Sequence, residues 1–206
     1  MAAPGWPATL YEGRVGLRPL RTRDAARWSD LRTRDEEWLA PWEGRPPSAP
    51  EVTWGDRHTP AAYGAALRVW RREAKAGRSL PFGVTYDGEL VGQVTVMNIW
   101  LGAFRSGAIG YWVASDVAGR GVTPTAVALA GDHCFGALGL HRLEVNIRPE
   151  NTPSLRVVQK LGFRQEAQHE RYLYIDGAWR DHLSFALTSE EVPGGLVARW
   201  RAQQKP

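Results

Sequence analysis

Cysteine is all but missing from this chain, with Cys134 standing alone among 206 residues. That excludes an intramolecular disulfide and any cysteine-based zinc cluster, and in the apolar stretch "VALAGDHCFGAL" the lone thiol reads as a small core side chain. Also missing is any apolar run near the roughly 20 residues a membrane-spanning helix needs, because Gly, Asp or Arg interrupts every candidate. The opening "MAAPGWPATLYEGR" has no basic-then-apolar leader pattern. The expectation is a cytoplasmic chain with no membrane partner. Neither GxxxxGKS/T nor GxGxxG occurs, which leaves P-loop kinases and dinucleotide oxidoreductases without support. His133, His141, His169 and His182 have no metal-ligand spacing and His58 lies alone in a Trp-rich stretch, so no metal is expected. Charge of one sign is scarcely in excess: 26 Lys+Arg against 22 Asp+Glu leaves +4, with the arginines scattered. That modest excess fits an anionic cofactor or work near nucleic acid, and does not by itself identify a nucleic-acid binder.

What is present supports one packed domain, since 43% of the residues are hydrophobic and 23% charged. Val15–Leu20 alternates apolar and polar residues like a half-buried strand, and Thr22 and Asp24 are placed to start the helix that follows in "TRDAARWSDLRT". From Trp38 to Pro60, prolines and tryptophans gather without periodicity, which reads as a long ordered loop. Tyr63, Leu67, Val69, Trp70 and Ala74 form a helical apolar stripe closed by Gly77. Two alternating runs flank Asp87-Gly88 and "SGAIGYWV" supplies a third, together an antiparallel meander. Helix, strand, helix and a last strand pair around Asp176-Gly177 complete an α/β chain with a mixed sheet. The domain is expected over residues 14–188, with Met1–Gly13 and Ser189–Pro206 as terminal extensions outside the core.

The stretch "DVAGRGVTPTA" joins a strand ending at Val113 to a helix with Pro124 in its first turn. Such a junction leaves backbone N–H groups unpaired at the positive end of a helix dipole, which is phosphate-binding geometry. Gly119 and Gly121 let the backbone approach an anion, and Arg120 adds a charge at the rim. A plain glycine turn linking strand to helix is the alternative at this point.

Further along, "RLEVNIRPENTPSLRVVQKLGF" runs through a strand, a loop carrying Asn151, a helix start at Thr152-Pro153-Ser154 and a Gly162-Phe163 stop. With "LAPWE", "IGYWV", "AGRGVTPTA" and "YLYIDGAWRDH" in order, the chain from Val15 to Leu187 resembles the GNAT superfamily of N-acetyltransferases, and within it the RimJ/RimL-type enzymes that acetylate ribosomal-protein N-termini. The resemblance implies a GNAT fold: a mixed, mostly antiparallel central sheet flanked by helices and splayed at the acetyl-CoA site. Gly119, Arg120, Gly121, Val122 and Thr123 would hold the cofactor's pyrophosphate, and Val113 would also contact the cofactor. Asn151 would bond the pantetheine arm, or backbone to close its loop, and Ser154 would face the departing thiolate as general acid, with capping of the helix start as its structural alternative. In the family's turn pattern Q/R-x-x-G-x-G/A, Ala118 takes the first position and Thr123 the last, so one side-chain contact to phosphate is lost and backbone donors carry the binding. The tyrosine that many members place seven residues after the asparagine is Val158 here, and the glutamate that some place ten residues after the Phe of the stop is Leu173.

Acetyl transfer needs a neutral amine, a donor polarising the thioester carbonyl and a proton source at sulfur. The strand "RLEVNI" offers Glu144 as a base acting through water, with Arg142 and Asn146 on the same face; a structural pair with Arg142 is the alternative. Trp38, Trp42, Tyr111 and Asn146 are candidate contacts for the acceptor. Tyr172 and Tyr174 share a strand face and are expected to pack. The resemblance favours a protein N-terminus, of a ribosomal protein first, with a small amine as the alternative acceptor and a homodimer left open. A non-catalytic acyl-CoA sensor or docking module is the competing class. A nucleic-acid-binding domain would need Arg68, Arg71, Arg72, Lys75 and Arg78 on one exposed face.

Overall fold

Two Asp-Gly dipeptides set the hairpins. Asp87 and Gly88 have φ of 52° and 85°, Asp176 and Gly177 of 50° and 72°, the paired left-handed conformation that lets a two-residue turn follow the twist of its strands. The computed structural model describes residues 5–48 and 52–204. In it run β1 (Leu10–Glu12), β2 (Val15–Pro19), α1 (Ala25–Arg34), the short helices α2 (Glu36–Leu39) and α3 (Trp54–Arg57), then α4 (Pro60–Lys75). β3 (Leu80–Tyr86), β4 (Glu89–Trp100) and β5 (Ser106–Val113) follow, then α5 (Val122–Gly136), β6 (Arg142–Ile147) and α6 (Thr152–Leu161). β7 (Arg164–Ile175), β8 (Ala178–Thr188) and α7 (Leu196–Gln204) complete the order.

The eight strands form one sheet in the order β1-β2-β3-β4-β5-β6-β8-β7. Every neighbouring pair is antiparallel except β5–β6, which is parallel. The mixed, mostly antiparallel sheet flanked by helices is the architecture expected. The β5–β6 contact is short: Ser106 faces Arg142, Gly107 faces Leu143 and Ala108 faces Glu144, after which β5 runs on to Val113 and β6 to Ile147 without further pairing. The sheet is therefore splayed at its centre.

α5 is apolar around most of its circumference, from Val122 to Cys134, because it is enclosed by the sheet, α6 and α7. Leu17, Phe82, Val94, Leu143, Leu161 and Leu187 join it in the main core. Cys134 is fully buried there, and burial pushes its thiol up to about 12, which suits the packing role read from the sequence. A smaller cluster of Leu20, Trp28, Tyr63, Leu67 and Leu90 seats α1 and α4.

Several expectations need correction. Both chain ends pack into the core: Trp6 meets Phe82 edge-on with centroids 5.1 Å apart, β1 extends the sheet, and Leu196 and Trp200 of α7 are buried. The part of the N-terminal expectation covering Met1–Pro4 lies outside the described residues. The Trp38–Pro60 stretch is not simply a loop, since α2, α3 and a 3-10 turn at Ala40–Trp42 lie in and beside it; its residues 49–51 are outside the described set. β7 begins eight residues before Tyr172, and a register shift between His169 and Leu173, with Arg171 at φ 49°, turns Tyr172 outward to 44% exposure where packing was expected. The basic residues of α4 and the turn after it are not one free face, because Glu73 binds both Arg72 and, beyond the helix end, Arg78.

Candidate active site

The turn after β5 is built around two left-handed glycines. Gly119 and Gly121 both have φ +78°, and Gly121 is the N-cap of α5. A Cβ on Gly119 would meet no protein atom within 4 Å, so that position faces open space. Among the described residues the N–H groups of Gly119 and Gly121 find no acceptor, and those of Val122 and Thr123 fall in the first helical turn, where no intrahelical carbonyl reaches them. No acidic side chain lies in that turn. The need for a missing side chain falls on Gly119 and Gly121; Thr123 is already helical, and its size puts no strain on the turn.

A cleft of 590 Å³ opens beside this turn and passes through the splay. Directly opposed residues on paired strands share a sheet face. The pairs Gln93–Trp112, Thr95–Gly110, Met97–Ala108 and Ala108–Glu144 therefore define one face, while Tyr111 and Val113 belong to the other, with Leu143 and Val145. Gly119, Gly121, Val122, Thr123, Asn151 and Ser154 line the cleft on the helical side. Gln93, Thr95, Met97, Gly110 and Trp112 line it on the opposite side, so the cavity connects the two faces where β5 and β6 part.

At the start of α6 the Asn151 carboxamide oxygen accepts the Ser154 N–H at 3.1 Å and caps the helix. That takes the capping role away from Ser154, whose hydroxyl makes no hydrogen bond among the described residues and borders the cleft. Tyr111 donates its phenolic hydrogen to the Ser154 carbonyl at 3.3 Å, tying the freed edge of β5 to α6. Burial pushes the Tyr111 phenol well above its ordinary range, so it stays protonated at any working pH. Arg156 and Lys160, one helical turn apart on α6, also line the cleft and bring positive charge near the glycine turn.

The opposite end is walled by Trp38, Trp42 and Glu43. Trp38 donates its indole N–H to the Val113 carbonyl at 3.1 Å, so that oxygen is already bound where a cofactor contact was expected. Arg148 holds the Trp42 segment by donating to the Pro41 carbonyl at 2.8 Å and lying 5.4 Å from the Trp42 ring centroid. Behind the wall, buried Arg32 pairs with Glu43 and donates to His58 Nε2 at 2.9 Å, among the rings of Trp28, Trp54 and Trp112. Burial, reinforced by the Arg32 charge, lowers His58 to about 4. The neutral ring donates from Nδ1 to the Trp54 carbonyl at 2.8 Å and keeps Nε2 as acceptor for Arg32. Burial likewise lowers Arg32 to about 9.

Three expected site residues lie off the cleft lining. Arg120 is exposed at the turn's outer side. Glu144 is on the face that carries Gly110 and Trp112, but its carboxylate accepts from Arg142 Nε at 2.7 Å, and Arg142 also binds Glu166. Asn146 accepts from the Ser184 hydroxyl and reaches Tyr172 at 3.5 Å. The reading of the sequence missed Arg32, Gln93, Thr95, Arg156 and Lys160. A polar Gln93 inside the apolar run "LVGQVTV", and basic residues spaced i and i+4 behind an asparagine-capped helix start, were the available signals.

The chain and its fold have relatives among known proteins. A family model described as an acetyltransferase (GNAT) domain matches residues 14–164. The solved structure of Mycobacterium smegmatis RimJ in complex with CoA-disulfide has 47% identity and a TM-score of 0.93, covering 98% of this chain and 97% of that one. The ribosomal protein uS5-alanine N-acetyltransferase of Escherichia coli (strain K12) is 30% identical over 188 residues, spanning 90% of this chain and 93% of its own. A ribosomal-protein-S5-alanine acetyltransferase structure from Vibrio fischeri is 27% identical with a TM-score of 0.78, covering 89% of this chain and 98% of that one.

Proposed function

The chain belongs to the GNAT family and is an N-acetyltransferase with a coenzyme A co-substrate, and from that premise we propose that it acetylates the N-terminal α-amine of a ribosomal protein, using acetyl-CoA in the cytoplasm. The observation that carries the reading is the cleft through the splayed strands, with a glycine turn and helix start at one end and a tryptophan wall at the other. The acceptor class is supported by likeness to enzymes named for ribosomal protein uS5 alanine and to RimJ.

In this reading the N–H groups of Gly119, Gly121, Val122 and Thr123 bind the pyrophosphate, with Arg156 and Lys160 adding charge. Asn151 and the freed edge of β5 lie along the pantetheine arm. The acceptor enters between Trp38, Trp42 and the face of β4 and β5 that carries Thr95 and Gly110. The amine lone pair forms a bond to the thioester carbonyl carbon, the carbon–sulfur bond breaks, the amine releases its proton to water, and the sulfur takes a proton from the Ser154 hydroxyl, which water replenishes.

Glu144 is not given the base role, since Arg142 occupies its carboxylate. An α-amine needs little help: with a pKa near 8, roughly a quarter of it is neutral at about pH 7.5, against roughly 0.1% of a lysine ε-amine. A site without a dedicated strong base therefore favours chain termini by chemistry alone. The test is thiol release from acetyl-CoA with peptides bearing a free N-terminus, the same peptides Nα-blocked but carrying lysine, and spermidine. Free-terminus peptides should lead by about 10²-fold, the ratio of neutral amine fractions. Faster turnover on spermidine or on blocked lysine peptides would sink the assignment.

A further inference from the structure

We propose that Trp200 of α7 is a positioning residue for the coenzyme turn, acting through Thr125 on the peptide that joins Gly121 to Val122. The proposal rests on reading that turn as the phosphate site. Trp200 does not line the cleft; it is buried behind α5, in a C-terminal helix that the sequence alone left outside the core.

The hydrogen bonds run in one direction only. The Trp200 indole Nε1 has a hydrogen and no lone pair, so it must donate to Thr125 Oγ1, at 2.8 Å. Thr125 then has one hydroxyl proton left to give, and it gives it to the Gly121 carbonyl at 2.8 Å. The Thr125 backbone N–H donates to the same carbonyl at 3.2 Å. The Gly121 carbonyl and the Val122 N–H belong to one planar trans peptide unit and point opposite ways. Clamping the oxygen from inside the protein therefore aims the Val122 N–H outward, toward the cleft. Gly121 sits at φ +78°, ψ 1°, a position free to swivel because glycine has no side chain to hinder it. The Trp200 ring closes off part of that freedom: its Cζ2 lies 3.4 Å from where a Cβ of Gly121 would be.

α7 is firmly seated for the task. Asp132 of α5 accepts the N–H groups of Leu196 at 2.6 Å and Val197 at 3.0 Å, and Arg199 donates to the Leu161 carbonyl at the end of α6 at 3.1 Å. Lys160, which lines the cleft, places its ammonium 5.7 Å from the Trp200 ring centroid. One side chain thus touches the supports of both helices that border the coenzyme end of the cleft.

A core tryptophan generally needs a partner for its N–H, so burial alone does not separate positioning from packing. The separating measurement uses two acetyl donors: acetyl-CoA, and S-acetylpantetheine, which lacks the pyrophosphate and nucleotide. Trp200→Phe keeps a ring and removes the donor; Thr125→Val keeps the volume and removes the relay; Thr125→Ser keeps the relay. Trp200→Phe and Thr125→Val should each raise KM for acetyl-CoA about 5-fold, the worth of one hydrogen bond, with kcat within about 2-fold and kcat/KM for S-acetylpantetheine unchanged. Thr125→Ser should restore the wild-type KM. The proposal is overturned if the acetyl-CoA KM does not move in either variant, if both donors lose equally, or if Thr125→Ser behaves like Thr125→Val. If the wild-type enzyme uses the two donors equally well, the proposal falls together with the phosphate reading of the turn, and that result is visible before any variant is made.

Discussion

Ser154→Ala isolates the proposed chemistry from everything else the residue does. Ser154 occupies the third position of α6, where its backbone N–H is held by Asn151 Oδ1 at 3.1 Å and its hydroxyl has no partner among the described residues. Removing the hydroxyl therefore orphans nothing, and alanine is the better helix former by a few tenths of a kcal/mol, about 0.4. Thermal stability and coenzyme A affinity should not fall. What is lost is proton donation to the departing sulfur, for which general-acid catalysis supplies about 10² to 10⁴ in rate. A serine hydroxyl is a weak acid, so the low end applies: kcat should fall about 10²-fold, a barrier increase of about 2.7 kcal/mol. The assay is thiol release at saturating acetyl-CoA and peptide, with melting temperature and coenzyme A affinity measured on the same preparation. Tyr111 is the competing donor, because its hydroxyl reaches the carbonyl of the same residue at 3.3 Å and burial keeps it protonated. Tyr111→Phe should cost less than about 10-fold, through lost orientation of the α6 start alone. A Ser154→Ala enzyme within about 3-fold of wild type would refute the serine assignment, and a 10²-fold loss in Tyr111→Phe would transfer the role to the phenol.

Three further outcomes follow from the same geometry. Glu144→Gln should keep kcat within about 3-fold, where loss of a true general base would cost 10² or more; steady-state rates on a free-terminus peptide decide it. Gly119→Ala should lower stability by about 1 to 2 kcal/mol, because a left-handed φ of +78° penalises a Cβ, and should raise the acetyl-CoA KM about tenfold, because the methyl points into open space and meets the incoming phosphate. His58, lowered from 6.5 to about 4 in the fold, resists protonation that the unfolded chain accepts. Its depressed value means that stability is fully held above pH 6.5 and lost as pH falls toward about 4, by up to about 3 kcal/mol. Chemical denaturation at pH 7 and 4.5 should show the loss, and His58→Gln should flatten it.

Local signals carried most of the fold, and nonlocal contacts carried what was misread. Asp87-Gly88 and Asp176-Gly177 marked both hairpins because a two-residue turn demands left-handed φ, and that demand is written in the dipeptide itself. Gly162 stopped α6 for the same reason, at φ 75°. The glycine turn was legible as a strand-to-helix junction from its own residues, whereas the roles given to Asn151 and Ser154 came from the family resemblance; the structure brings all three to one cleft. α7 was not, because its burial depends on Asp132, 64 residues earlier, capping the Leu196 N–H. Arg32 lies on a short helix among polar neighbours; it is buried because Glu43, His58, Trp54 and Trp112 converge on it from other elements, and Trp28 from one turn back on its own helix. Glu144 shows the limit of strand periodicity. Alternation chose the correct face, but the carboxylate's partner, Arg142, decided its state.

The splay explains why one small sheet can serve two ligands. Beyond Ala108, β5 keeps its ladder to β4 through Val113 while β6 turns away, so alternate main-chain groups of β5 face no strand on that side. Buried backbone donors and acceptors seldom stay unpaired, so these groups are an open half-ladder that an amide-bearing arm or an extended peptide can complete. The Trp38 indole already closes the last carbonyl, at Val113, which sets one limit of that half-ladder and puts the tryptophan wall against it. Tyr111 sets the other tie, from the opposite face of the same strand to α6. In the proposed function, a coenzyme arm entering from the helical face and an acceptor amine entering from the other meet within the few residues between Gly110 and Val113. Proximity in this fold follows from broken strand pairing, and a substitution that zipped β5 to β6 would stabilise the sheet while abolishing transfer.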